Sequence, residues 1–358
     1  MLRSPSATSF SHESSRECFF RGEQDLVRSQ GSLSCRVAQG SAQDVDNRGE
    51  PQSTAVRVVV RFRPAMPSEE EFTIVRDCPF MVDSHRNTVE SSDLQHRFYF
   101  DRAFDMNTSQ SSVYEEIALP LVNDVLQGYH ATILAYGQTG GGKTYCMFGP
   151  PGNQTAELQG LVPRSARHVF ENIGTGDIEC SFVEVYCEQV RDLLTTGSTK
   201  LQVKEIPSKG FCIEGLTHKA VKSTSEVWQV LRVGLRQRAA ANTRLNQHSS
   251  RSHAIFTLHV VQEMPEGMIR HSKLTLVDLA GSEKLQKSGS AGEMLEEAKK
   301  INVSLLALGH VIDGLAERRP HIPYRDSRLT RILEDSLGGN CRTTLLVACS
   351  PSKAHIPE

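Results

Sequence analysis

The chain has 358 residues, 38% of them hydrophobic and 23% charged, with a formal net charge of −2. That length supports a substantial core in one large domain or two smaller ones, and the near-zero charge excludes the global basic field of a nucleic-acid binder. Nine cysteines, odd in number and without a C-x-x-C pair, suggest neither a disulfide framework nor a zinc site and point to a reducing cytosol. No apolar run approaches the ~18 residues of a membrane span.

Residues 1–54 hold eleven serines and short mixed-charge runs, and are expected to form a disordered extension because they offer too little apolar surface to offset chain entropy. Order is expected from Ala55, in a β-branched strand that stops at Arg61-Phe62-Arg63-Pro64. A second strand is predicted over residues 97–101. Residues 111–126 place apolar side chains at helical spacing, interrupted by Pro120, and lead through Gly128 into an apolar strand over 131–136.

The run Gly137-Gln138-Thr139-Gly140-Gly141-Gly142-Lys143-Thr144 follows that strand and matches G-x-x-x-x-G-K-[ST] at every fixed position. Its glycines can take positive φ and turn successive N–H groups onto a phosphate chain. Lys143 is expected along the β- and γ-phosphates, and the Thr144 hydroxyl is a hard oxygen ligand suited to Mg2+. A helix starting near Gly142 would add the positive end of its dipole. The bland alternative is a glycine-rich strand-to-helix turn; the preceding strand argues against it.

Further strands are predicted over 178–186, 256–261, 273–278 and 343–349, a hairpin over 203–215, and helices over 225–241, 293–316 and 327–337. Strands alternating with helices around such a loop imply an α/β fold, a central sheet with helices on both faces. There is no internal repeat and no heptad seam, so no coiled coil is expected and the chain as given is expected to be monomeric.

Two further stretches suit a response to a terminal phosphate. Asp278 ends the strand over 273–278, where a carboxylate could reach Mg2+ through water, and Gly281 can offer a bare backbone N–H to the γ-phosphate. The run Asn246-Gln-His-Ser249-Ser250-Arg251-Ser252-His253 sets two hydroxyls beside an arginine, as befits a loop that contacts metal and phosphate in one state and relaxes in another.

With these motifs in this order, residues 55–352 resemble the kinesin motor domain family, which carries N-x-x-S-S-R-S-H as switch I and D-L-A-G-S-E as switch II. Tyr136-Gly-Gln-Thr, Glu184-Val-Tyr186, Arg191-Asp-Leu-Leu194, Ile322-Pro-Tyr-Arg-Asp-Ser327 and Asp335-Ser-Leu-Gly-Gly-Asn340 share in the resemblance. It implies a P-loop NTPase fold over residues 55–358 with a central mixed eight-stranded sheet, and microtubule-stimulated ATP hydrolysis on the cytoskeleton. It places adenine between Arg61, Pro64 and Tyr145, and the phosphates on 137–144. Mg2+ would be held by Thr144 and Ser250, with Asp278 reaching it through water. Arg251 and Glu283 would close the switches as a salt bridge around the attacking water, with Ser249 and Gly281 positioning that water or the γ-phosphate, and Arg238 and Asn246 on the switch I side. A GTPase would typically carry N-K-x-D, which is not in this chain.

The family's microtubule-facing region corresponds to 284–332, with nine basic against six acidic residues. Lys287, Arg325, Arg328 and Arg331 fall where the family places tubulin contacts. Val303, Gln189 and Pro207 stand where basic residues are usual, while Lys204 and Lys209 remain nearby; each lost surface charge removes ~1 kcal/mol or less. Gly141 replaces the family's usual small Ser or Ala. After Ser352 the family continues into a last helix and a neck linker, so the chain is expected to lack both. The alternatives are a non-motile microtubule-associated module and a fragment of a longer motor. Neither nucleic acid nor membrane is an expected partner.

Overall fold

The computed structural model describes residues 56–65, 79–92, 96–152, 155–196, 200–206, 210–242, 251–283, 293–338 and 341–352. The expectations for residues 1–54, Pro207, Lys209, Asn246, Ser249, Ser250 and Lys287 lie outside them.

Fourteen strands are described: β1 (Arg57–Phe62), β2 (Phe80–Asp83), β3 (Thr88–Ser91), β4 (Arg97–Tyr99), β5 (Arg102–Phe104), β6 (His130–Tyr136), β7 (Gly176–Tyr186), β8 (Gln189–Asp192), β9 (Lys200–Ile206), β10 (Gly210–Glu214), β11 (Lys219–Val221), β12 (His253–Glu263), β13 (Ile269–Asp278) and β14 (Cys341–Cys349). The central mixed sheet has the order β10-β9-β8-β7-β12-β13-β6-β14-β1-β5, with β11 added on β7, while β2, β3 and β4 form a separate small sheet. This central sheet is wider than the expected eight strands because short edge strands, among them β5 and β11, join the same hydrogen-bonded ladder.

In the middle, β6 lies between two parallel neighbours, with Leu134 paired to Val277 of β13 and to Leu345 of β14. Ile133 and Leu134 on successive positions of β6 are both fully buried, one in each of the two cores. A strand covered on both faces reads as a continuous apolar run, which is the pattern at 131–136, and each such side chain contributes roughly 1.5–3 kcal/mol.

On one face pack α1 (residues 110–126), α3 (Leu161–Asn172) and α4 (Thr224–Asn242), and on the other α5 (Glu293–Ala316), α6 (Arg328–Ile332) and α7 (Glu334–Gly338); α2 (Lys143–Phe148) follows the glycine-rich loop. Pro120 does not break α1. The helix instead widens into a π-turn over Tyr114–Ala118 just before it, and the carbonyl of Glu116, four residues before the proline and so deprived of its helical N–H, accepts from Arg57 Nη1 at 2.9 Å. The helix expected over 327–337 divides at Leu333 into α6 and α7.

Candidate phosphate-binding site

The glycine-rich loop leaves the carboxyl end of β6, where the parallel strands β13 and β14 also end, the crevice at which open α/β sheets bind ligands. Gly137, Gly140 and Gly142 have φ of 133°, 78° and 103°, values that L side chains resist. A Cβ at Gly137 or Gly141 would also run into the carbonyl oxygen of Ala348 at the end of β14. The loop is therefore seated directly on the neighbouring strand, and here a small side chain at 141 would need Ala348 to move.

Lys143 opens α2, with Gly142 as its N-cap. Its side chain is 7% exposed and its ammonium donates to the carbonyls of Gly137 and Gln138 at 2.8 and 2.7 Å. Burial lowers its pKa, and the carboxylates of Asp278 and Glu283 oppose that shift. Beside it, the Thr144 hydroxyl donates to Asp278 Oδ2 at 2.7 Å. Asp278 is 1% exposed; Arg238 Nη1 donates to the same oxygen at 2.7 Å, and Arg238 Nη2 to the Ser252 carbonyl at 3.0 Å. Oδ1 of Asp278 is buried and has no hydrogen-bond partner among the described residues, an acceptor left open beside a threonine hydroxyl. These are hard oxygen donors of the kind Mg2+ takes, so the residues present fit that ion.

Glu283 folds back onto the loop. Its Oε2 accepts from the Thr139 backbone N–H at 2.8 Å and its Oε1 from the Thr139 hydroxyl. The carboxylate that the family resemblance pairs with Arg251 thus rests here on the glycine-rich loop. A Cβ at Gly281 would meet both this carboxylate and Thr139 Oγ1, so the bare glycine lets the chain after β13 approach the loop.

Where the family resemblance places adenine, Arg61 is 6% exposed; its Nη1 donates to Gln110 Oε1 at 2.5 Å and its Nη2 to the Thr108 carbonyl at 3.2 Å, and its guanidinium lies 5.8 Å from the Tyr145 ring centroid. Arg63 Nε donates to the Gly140 carbonyl at 2.5 Å and Arg63 Nη1 to the Pro64 carbonyl at 2.8 Å. Arg61, Pro64 and Tyr145 are therefore gathered near the loop. Sequence reasoning had Arg63 inside the Arg-x-Arg-Pro run but gave it no contact of its own, and it missed Gln110, which lies 49 residues from Arg61 and gave no local signal.

Elsewhere, Arg325 donates to both oxygens of Glu205 on β9, at 3.0 and 2.8 Å. Arg331 donates to the Arg325 carbonyl and lies 6.0 Å from the Phe211 ring. Two of the expected tubulin contacts are thus tied to the β9–β10 hairpin, and Val303 on α5 is 43% exposed.

The kinesin motor domain model matches residues 61–358. The chain belongs to the kinesin motor domain family. It is 44% identical to Kinesin-related protein 3 of Dictyostelium discoideum, over 85% of this chain and 26% of that protein. It is 44% identical to a kinesin heavy chain of Neurospora crassa, over 86% and 34% respectively, and 43% identical to Kinesin heavy chain isoform 5C of Homo sapiens, over 85% and 32%. The match therefore spans a quarter to a third of the length of these kinesin relatives. The solved structure of a fast kinesin, described for its ATPase mechanism and interactions with microtubules, superposes with a TM-score of 0.77 at 42% identity, covering 84% of this chain and 87% of that one. No described helix is long and apolar enough to cross a membrane.

Proposed function

We propose that this kinesin-family domain binds ATP with Mg2+ on residues 137–144 and hydrolyses it at a rate raised by microtubules. The observation that carries this is the meeting of Thr144 with Asp278, whose second oxygen is buried and without a hydrogen-bond partner among the described residues. Bound Mg2+ would neutralise developing phosphate charge, and Thr144, Ser250 and, through water, Asp278 would hold it.

The chain's own residues supply the rest. Lys143 donates to two loop carbonyls and can exchange them for phosphate oxygens. Arg61, Pro64 and Tyr145 flank the base, with Gln110 fixing Arg61 to Tyr145 by donating to the Tyr145 carbonyl at 2.8 Å. Ser249, Arg251, Gly281 and Glu283 would orient the attacking water and the γ-phosphate once the switches close. In that closure Glu283 leaves Thr139, freeing a loop N–H for phosphate. Microtubules would be met by Lys287, Arg325, Arg328 and Arg331, Arg325 exchanging Glu205 for an acidic residue of the polymer.

Microtubule co-pelleting tests the partner. Binding that is tighter with a nonhydrolysable ATP analogue than with ADP supports the motor-type cycle; equal binding in both states would favour a non-motile module, and no binding would exclude the partner.

A further inference from the structure

His253 opens β12 as the last residue of the switch I motif, and is 2% exposed. The backbone N–H of Ala280 donates to its Nδ1 at 3.0 Å. A backbone amide only donates, so Nδ1 is bare and the neutral ring carries its proton on Nε2. That nitrogen faces the Ser304 hydroxyl of α5 at 2.8 Å, and Ser304 is itself 3% exposed. Burial, with the positive charges of Arg238 and Lys143, holds the imidazole pKa down at about 3, which keeps the ring neutral at physiological pH.

Each end of this bond pair has a defined neighbour. Ala280 precedes Gly281 and follows Asp278 by two residues. Ser252, before His253, is held by Arg238, which also holds Asp278. The imidazole is rigid, so its two nitrogens cannot move independently. With both bonded, the separation between the Ala280 backbone and the Ser304 hydroxyl is set by one ring. A shift of the chain at 278–281 must therefore carry α5 with it or break one of two buried hydrogen bonds, an arrangement with discrete alternatives.

We infer that His253 is a positioning residue: through its ring, the backbone at Ala280 sets the placement of Ser304 and hence of α5, coupling nucleotide state to the surface that α5 helps to form. The inference rests on the kinesin-type function proposed above, for which it names the connecting side chains. It gives His253 no contact with nucleotide.

Two substitutions cut the same bond from opposite ends. Ser304→Ala removes the far partner. His253→Asn retains an acceptor at the Nδ1 side and loses the reach to Ser304. Each is measured for melting temperature, basal ATPase and microtubule-stimulated ATPase, and for hydrogen exchange of α5 amides with ADP and with a nonhydrolysable ATP analogue. For Ser304→Ala we expect basal turnover within about twofold of wild type and stimulation about 5- to 150-fold lower, the span of typical coupling energies. The nucleotide-dependent exchange difference in α5 should vanish, and the double variant should be no worse than the worse single one. Stimulation unchanged in Ser304→Ala would overturn the inference, as would basal and stimulated rates falling in parallel with a lowered melting temperature. If the wild-type protein is not stimulated by microtubules, the functional reading fails, and the exchange measurement alone decides the relay: a nucleotide-dependent difference abolished by Ser304→Ala supports it, and one that is retained, or absent from wild type, refutes it.

Discussion

Thr144, in the first turn of α2, meets Asp278 at the end of β13, the threonine hydroxyl donating to the carboxylate at 2.7 Å. A hydroxyl that donates to Asp278 still has lone pairs for a metal, so the bond is compatible with Mg2+ binding. Thr144→Ala should weaken Mg-dependent ATP binding by at least about 10–100-fold, the loss typical even of an outer-shell partner, while Thr144→Ser stays within a few-fold. Calorimetric titration with and without Mg2+ checks this; equal affinity for all three proteins would remove Thr144 from the metal site.

Arg238 and Asp278 form an ion pair with side chains only 4% and 1% exposed. Removing one partner strands a buried charge, so Arg238→Ala should cost about 3–5 kcal/mol of unfolding free energy. Arg238→Lys should recover only part of it, because one ammonium does not reproduce the fork that reaches both Asp278 and the Ser252 carbonyl. Urea unfolding of the three proteins measures the difference.

Glu283 rests on Thr139 through two hydrogen bonds. If closure transfers it to Arg251, then Arg251→Ala and Glu283→Ala should each retain ATP but fail to hydrolyse it, and their losses should be strongly non-additive. Single-turnover kinetics on both singles and the double decides; a double loss equal to the sum of the singles means that the two side chains do not meet.

Acid should unfold this protein partly through two imidazoles. Burial depresses His253 to about 3 and His259 to about 4, below the unfolded value of roughly 6.5. Above that value neither state is protonated and nothing is lost. As pH falls below it, the unfolded chain takes up protons that the folded one refuses, so stability declines by up to about 1.4 kcal/mol per pH unit for each group until its folded pKa is reached. Unfolding curves at pH 7.5, 6 and 5 for the wild type and His259→Gln test this, the variant having the shallower dependence.

Cys187 and Glu188 form the two-residue turn between β7 and β8 with φ of 48° and 60°. Glu188 is also functional in the packing: its carboxylate accepts from the Ser327 hydroxyl and the Arg328 N–H, both at 2.7 Å, and so caps α6. Asparagine tolerates the left-handed region better than cysteine, so Cys187→Asn should raise stability by about 0.5–1 kcal/mol. An unchanged or lower melting temperature would mean that the cysteine's packing outweighs the strain.

What could be read from the sequence follows from how local each signal is. The loop 137–144, the apolar strand feeding it and Asp278 at the end of β13 are contiguous patterns, and the structure brings these described segments together. Gln110 on Arg61, Arg63 on Gly140 and His253 on Ser304 join residues 49, 77 and 51 positions apart, and no local period encodes such pairings. Pro120 marked a helix break because propensity argues from the chain alone; a π-turn and a distant arginine satisfied what the proline took away. Sheet width was likewise underestimated, since an edge strand of three residues such as β11 is defined by its partner on β7.

The central claim is that the phosphate loop, the two switch segments and the basic surface work as one cycle. Steady-state ATP hydrolysis by the protein, measured over a series of microtubule concentrations with Lys143→Ala as the blank, tests it most directly. The account predicts slow turnover alone, a saturable rise with microtubules that weakens as salt increases, and no activity in the blank. A rate indifferent to microtubules, or one that survives in Lys143→Ala, would contradict it.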